Sequence, residues 1–111
     1  MENKTILIQG AMDIEIQALL EKIEEQEKIV ISDYEFYTGK IKNCNVIVSK
    51  TLIGTINATI ATTIGIEKFK PDMVINQGIA GAHRESIHTG DIIIGEKCCN
   101  INAYSMPSKN R

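Results

Sequence analysis

Apolar residues follow two alternating rhythms along this chain. Ile6, Leu7 and Ile8 form an unbroken apolar run between polar neighbours, the pattern of a central strand over 4–9 that is covered on both faces. From Asp13 the rhythm becomes helical. Ile16, Leu19, Leu20 and Ile23 fall at i, i+3, i+4 and i+7, which predicts an amphipathic helix over 13–28. Asp13 and Glu15 sit in its first turn, where negative charge meets the positive end of the helix dipole. Beyond Ile29 the rhythm shortens again. Strands over 36–41 and 46–50 flank Lys42-Asn43-Cys44-Asn45, an asparagine-rich hairpin turn. A second helix is predicted over 55–69, where Ile56, Ile60 and Ile64 recur at every fourth position and Ala58 and Ala61 permit close packing. Its many threonines weaken helix propensity, so burial must hold it. Pro71 ends that helix. Residues 72–77 read as another buried strand that opens into a glycine loop over 78–83; Thr89-Gly90 predicts a turn, and 91–95 a last strand.

Strands alternating with helices imply a layered α/β fold, and the hairpin makes the sheet mixed. One domain at most is expected from 111 residues. The chain stops in a polar stretch, 105–111, without a closing helix, so the expectation is a single incomplete domain, the front half of a larger fold. A formal charge of −2 gives no basic footprint for nucleic acid. No apolar run approaches the roughly 20 residues of a membrane span. The opening Met-Glu-Asn-Lys has no signal-cleavage pattern, which points to the cytoplasm. Cys44, Cys98 and Cys99 lack metal-ligand spacing and read as buried, reduced thiols. Neither metal ligands nor a dinucleotide motif is present, and no cofactor is implied.

Three loops leave the carboxyl ends of apparent core strands: 10–15, 51–54 and 78–83. Open α/β sheets bind ligands at such ends, and glycines there let backbone amides approach closely. None of the loops is a Gly-x-Gly-x-x-Gly fingerprint or a phosphate-binding P-loop. Gly10-Ala11-Met12 with Glu15, Tyr37-Thr38-Gly39, Ile53-Gly54, Lys70-Pro71-Asp72, Ile75-Asn76-x-Gly78-x-Ala80-Gly81 and Gly90-Asp91-Ile92 follow one another in this order. Over residues 5 to 95 the chain thereby resembles the bacterial 5′-methylthioadenosine/S-adenosylhomocysteine nucleosidases of the purine nucleoside phosphorylase superfamily. After Gly95 it looks more like a divergent branch of that superfamily.

The resemblance implies a three-layer αβα phosphorylase/hydrolase-like fold with a mixed central sheet, of which this is the N-terminal portion. It implies hydrolysis of an N-glycosidic bond that releases adenine from a 5′-thio-substituted nucleoside, and a homodimer. Glu15 matches the family's water-binding glutamate. Met12 and Ile53 match positions lining the ribose and thioalkyl region, and Ala80 and Gly81 match the loop that passes the nucleoside. Ile79 stands where the well-known nucleosidases carry a serine that helps hold the water. The proton for the leaving purine comes, in the family, from an aspartate in its C-terminal half. A nucleoside phosphorylase, or a non-catalytic chain retaining part of a nucleoside pocket, are the alternatives. Asp13 and Glu15 in the opening loop favour water over an anionic nucleophile, since phosphate recognition calls for cationic or amide-rich surroundings. Asp13 itself reads as a helix N-terminal charge, His83 and Arg84 as solvated loop residues, and Tyr37 as a strand residue packing across the hairpin.

Overall fold

A computed structural model of the chain describes residues 4–100. They divide between two compact units, one reaching to Ala80 and one beginning at Gly81. Among the described residues the first unit carries all the regular structure, in the order β1 (Thr5–Gly10), α1 (Asp13–Leu20), β2 (Glu24–Ile31), β3 (Tyr34–Ile41), β4 (Cys44–Lys50), α2 (Thr55–Phe69) and β5 (Met73–Asn76). The five strands form one sheet in the order β2-β3-β4-β1-β5. β4, β1 and β5 are parallel, and β2 and β3 extend the sheet as an antiparallel hairpin.

The strand alternation sorts the core into two layers. Leu7 and Ile47 face each other in register and pack with Tyr34, Phe36 and Ala61 of α2. Val46 and Val48 point the other way and pack with Ile16 of α1 and with Ile23. The two helices therefore cover opposite faces of a mixed sheet, as a three-layer αβα arrangement requires. α2 lies close because Gly65 has no side chain. A Cβ there would come within 2.8 Å of Leu7 Cδ2. The helix buries Ala61 and Gly65 and packs Ile64 against the core, while Ile56 and Ile60 of the expected stripe stay exposed.

Several sequence expectations are corrected. α1 ends at Leu20, not at residue 28, and 24–31 is a strand. The apolar helical stripe runs out at Ile23, and the β-branched run Ile29-Val30-Ile31 then pairs with β3. Ser32 and Asp33 close that hairpin, both at positive φ, as the right-handed twist of two-residue hairpins prefers. The hairpin turn between β3 and β4 is shorter than expected, because Ile41 pairs directly with Cys44. β5 is an edge strand, and Met73, Val74 and Ile75 are exposed, not buried.

The second unit contains no strand among its described residues. The 91–95 segment lacks a ladder partner within that unit, and a lone strand does not persist without one. Its turn at Thr89-Gly90 does form. Gly90 has φ +95, and Asp91 N–H donates to the His88 carbonyl at 3.0 Å. No disulfide links the three cysteines, and only Cys44 is half-buried, whereas Cys98 and Cys99 are exposed. The polar stretch over 105–111 lies outside the described residues.

Candidate active site at the carboxyl edge of the sheet

Because β4, β1 and β5 are parallel, Lys50, Gly10 and Asn76 end on one edge. Two backbone bonds carry the pairing past the strand ends. Thr51 N–H donates to the Gly10 carbonyl and Gln77 N–H to the Gln9 carbonyl, each at 2.9 Å. The loops after β1, β4 and β5 therefore leave side by side.

Glu15 stands on the first turn of α1, with its carboxylate held by main-chain donors. Oε1 accepts from Ala11 N–H at 3.1 Å and from Met12 N–H at 3.0 Å. Oε2 accepts from Ile79 N–H at 2.9 Å. Met12 is the residue that caps α1, so Glu15 supplies the return bond of a capping box from the third helical position. The third donor comes from the far side of β1, just after β5. Gln77 reinforces that link, since its side-chain amide donates to the Glu15 carbonyl. Gly78 is what lets the chain pass there. A Cβ at Gly78 would overlap Glu15 Oε2.

A carboxylate offers about four acceptor positions. Two on Oε1 and one on Oε2 are occupied, which leaves Oε2 one lone pair for a further donor. The site thus consists of an oriented, half-buried carboxylate with one acceptor position that no donor among the described residues fills.

At the β1–α1 turn lies an open cleft of about 400 Å³. It is lined by Ala11, Met12, Asp13, Lys50, Leu52, Ile53 and Asn57. Met12 and Ile53 are thus brought together, and the same Ala11-Met12 segment that clamps Glu15 forms one wall. The charged rim is self-paired. Lys50 Nζ lies 2.7 Å from Glu35 Oε2 and 3.1 Å from Asp13 Oδ1, and Lys28 Nζ lies 2.8 Å from Glu35 Oε1. Lys28 first and Lys50 second hold the Glu35 carboxyl below its ordinary range. Glu35 in turn, followed by Asp13, raises the Lys50 ammonium. Asp13 is therefore a helix-terminal charge engaged by a lysine.

Beside this edge, the buried Gln9 side chain lies 3.1 Å from the Thr62 hydroxyl of α2 and donates to Asn76 Oδ1 at 3.4 Å. That polar link fixes β1 to α2 and β5. Ala80 and the Ile79 side chain are exposed, and Gly81 opens the second unit with nothing near its Cβ position. Tyr37 packs among the α1-side residues, with Lys28 Nζ 5.9 Å from its ring centroid. His83 and Arg84 are exposed. Among residues with no assigned role in the sequence reading, Gln77 and Gly78 matter most to the clamp. The signal for Gly78 was its place directly after a strand end.

A sequence profile described as the phosphorylase superfamily matches residues 5–109. The chain belongs to that superfamily. A 5′-methylthioadenosine/S-adenosylhomocysteine nucleosidase of Geobacillus sp. (strain WCH70) is 44% identical over 92 residues, which cover 83% of this chain and 40% of the relative. Among solved structures, the nucleosidase of Colwellia psychrerythraea 34H in complex with adenine aligns with a TM-score of 0.77 at 33% identity, covering 79% of this chain and 36% of that one. The Neisseria meningitidis nucleosidase in complex with methylthio-immucillin-A gives the same TM-score and identity, with 79% and 38% covered. The chain spans about two fifths of the length of the curated superfamily relatives it matches.

Proposed function

We propose that the protein carrying this chain hydrolyses the N-glycosidic bond of 5′-thio-substituted adenosines, of the 5′-methylthioadenosine and S-adenosylhomocysteine type, and releases adenine. The observation that carries this reading is the Glu15 clamp. Three backbone N–H groups from two sides of β1 fix one carboxylate and leave it one free acceptor position. The nucleosidase relatives, two of them solved with adenine or an inhibitor bound at the same fold, supply the substrate class.

The chemistry fits a fixed carboxylate. As the bond from the anomeric carbon to the purine breaks, the bonding pair leaves with the base and positive charge grows on the ribose, as in glycoside hydrolysis. Glu15 stabilises that charge and accepts a proton from the attacking water, whose oxygen bonds to the anomeric carbon. The departing purine takes up a proton; by resemblance its donor is an aspartate of the family's C-terminal half. Met12 and Ile53 line the side of the cleft where the 5′-thio group lies in this reading, and Ala80 and Gly81 pass the nucleoside. Ile79 contributes through its main-chain N–H, which needs no serine. We assign the protein to the cytoplasm as a homodimer on the same footing.

Incubation of the complete protein with either nucleoside, with and without phosphate, tests the reading by free adenine released. Phosphate-independent release is the expected result, and release that requires phosphate would move the protein to the phosphorylases. Glu15→Gln keeps the size of the side chain but removes the proton acceptor. It is expected to abolish turnover with the circular dichroism spectrum unchanged, and near-normal rates would overturn the role given to Glu15.

A further inference from the structure

Leu52 sits in the four-residue loop between β4 and α2 with φ +67, a region that branched side chains avoid. The loop holds it there from both ends. Thr51 N–H donates to the Gly10 carbonyl at 2.9 Å, and the Thr51 hydroxyl donates to the Leu52 carbonyl at 3.1 Å. Downstream, Asn57 Nδ2 donates to the Ile53 carbonyl at 2.9 Å. Asn57 is itself fixed by the Tyr34 hydroxyl, which donates to its Oδ1 at 2.6 Å. A position so determined suits glycine, yet it carries a leucine. The leucine is 38% exposed and lines the cleft beside Met12 and Ile53. Strain that persists under such bracing points to a use for the side chain.

The geometry points to Leu52 as the residue that sets the size of the 5′ substituent the cleft accepts. This inference rests on the nucleosidase reading given above. Leu52 and Ile53 supply an apolar wall, which favours a thioether with a short alkyl group. A long polar tail would have to pass Leu52 and then run along the Asp13–Lys50 rim, whose charges already satisfy one another. Leu52 fills space that a glycine would leave open, while the backbone path stays the same.

The test compares the complete protein with its Leu52→Gly and Leu52→Asn variants. Both replacements tolerate positive φ, and asparagine keeps a side chain in the cleft. Dissociation constants for 5′-methylthioadenosine and S-adenosylhomocysteine are measured by calorimetry, with Glu15→Gln added to each protein so that neither nucleoside is hydrolysed, alongside the melting temperature. Wild-type protein is expected to favour the short substituent. Leu52→Gly is expected to shift that preference about tenfold toward the long one, the scale on which apolar pockets discriminate. Leu52→Asn is expected to give a smaller shift. A changed melting temperature with an unchanged affinity ratio would show that Leu52 serves only the loop, and would overturn the inference. Failure of the underlying reading looks different: neither nucleoside would bind any of the three proteins.

Discussion

Glycine 78 shows how a single missing side chain can define a site. The chain leaves β5 directly across from Glu15, and a Cβ at that point would occupy the place of Oε2. Gly78→Ala must therefore move either the loop or the carboxylate, and the bond from Ile79 N–H is the first to go. A displacement of about 1 Å in a catalytic group typically costs about a hundredfold in rate. We expect a loss of that size in adenine release with little change in melting temperature, because Gly78 is exposed and outside the core. Retained activity would mean that Ala11 and Met12 N–H alone suffice to hold Glu15. Ile79 illustrates the complementary point. Its side chain cannot hydrogen-bond, but its main chain does the positioning, which no reading of side-chain identity could reveal.

At the level of elements, what sequence periodicity made legible was the centre of the sheet. β1, β4, α2 and the start of α1 fall close to where the apolar rhythm puts them, because burial on one or both faces writes a clear pattern. The failure over 24–28 has a physical cause. β2 is an edge strand whose first half, Glu24-Glu25-Gln26-Glu27-Lys28, faces solvent. Charged edges prevent strand-to-strand aggregation, and they also erase the alternation that would identify a strand. The register is irregular there, between Glu24 and Glu27, and Glu25 adopts φ +57. Gly39 on β3 accommodates that irregularity, since a Cβ would lie 2.6 Å from the Glu24 carbonyl oxygen. Backbone cannot yield as a flexible side chain can. Gly39→Ala is expected to destabilise the unit by about 1–3 kcal/mol, the usual cost of overpacking. Thermal or urea unfolding measures it, and an unchanged midpoint would show that the β2 edge is free to shift. That the segments carrying Glu15, Met12 and Ile53 leave one edge of the sheet was legible. The clamp was not, because it depends on β5 lying beside β1, a pairing about 67 residues apart in sequence that no local pattern encodes.

Across the whole first unit, one charge network ties together four elements that the apolar core also joins. Lys28 of β2, Glu35 of β3, Lys50 of β4 and Asp13 of α1 form a continuous chain of ion pairs at the sheet edge. Tyr37 of β3 also faces Lys28. The direction of each shift sets the pH window. Glu35 is held below its ordinary value of 4.5, so its contribution is present above that value and is lost as pH falls through the lower, folded one. Lys28 and Lys50 are held above their ordinary 10.5. Their contribution is complete below that value and is lost as pH rises through the higher, folded ones. Stability is therefore expected to form a plateau between the two limits, with a fall at each end. Glu35→Gln removes the shared partner of both lysines. It should lower the plateau by no more than a few degrees, because the pairs are partly open to solvent and screened. It should also flatten the acid limb through loss of the carboxylate, and the alkaline limb because, among the described residues, Lys28 then has no ion-pair partner and Lys50 keeps only Asp13. Melting temperatures across the pH range, at low and high salt, read all three effects. If both limbs kept their slopes in the variant, the network would be a bystander, and the orientation of Lys50 at the rim of the cleft would have to come from the β4 backbone alone.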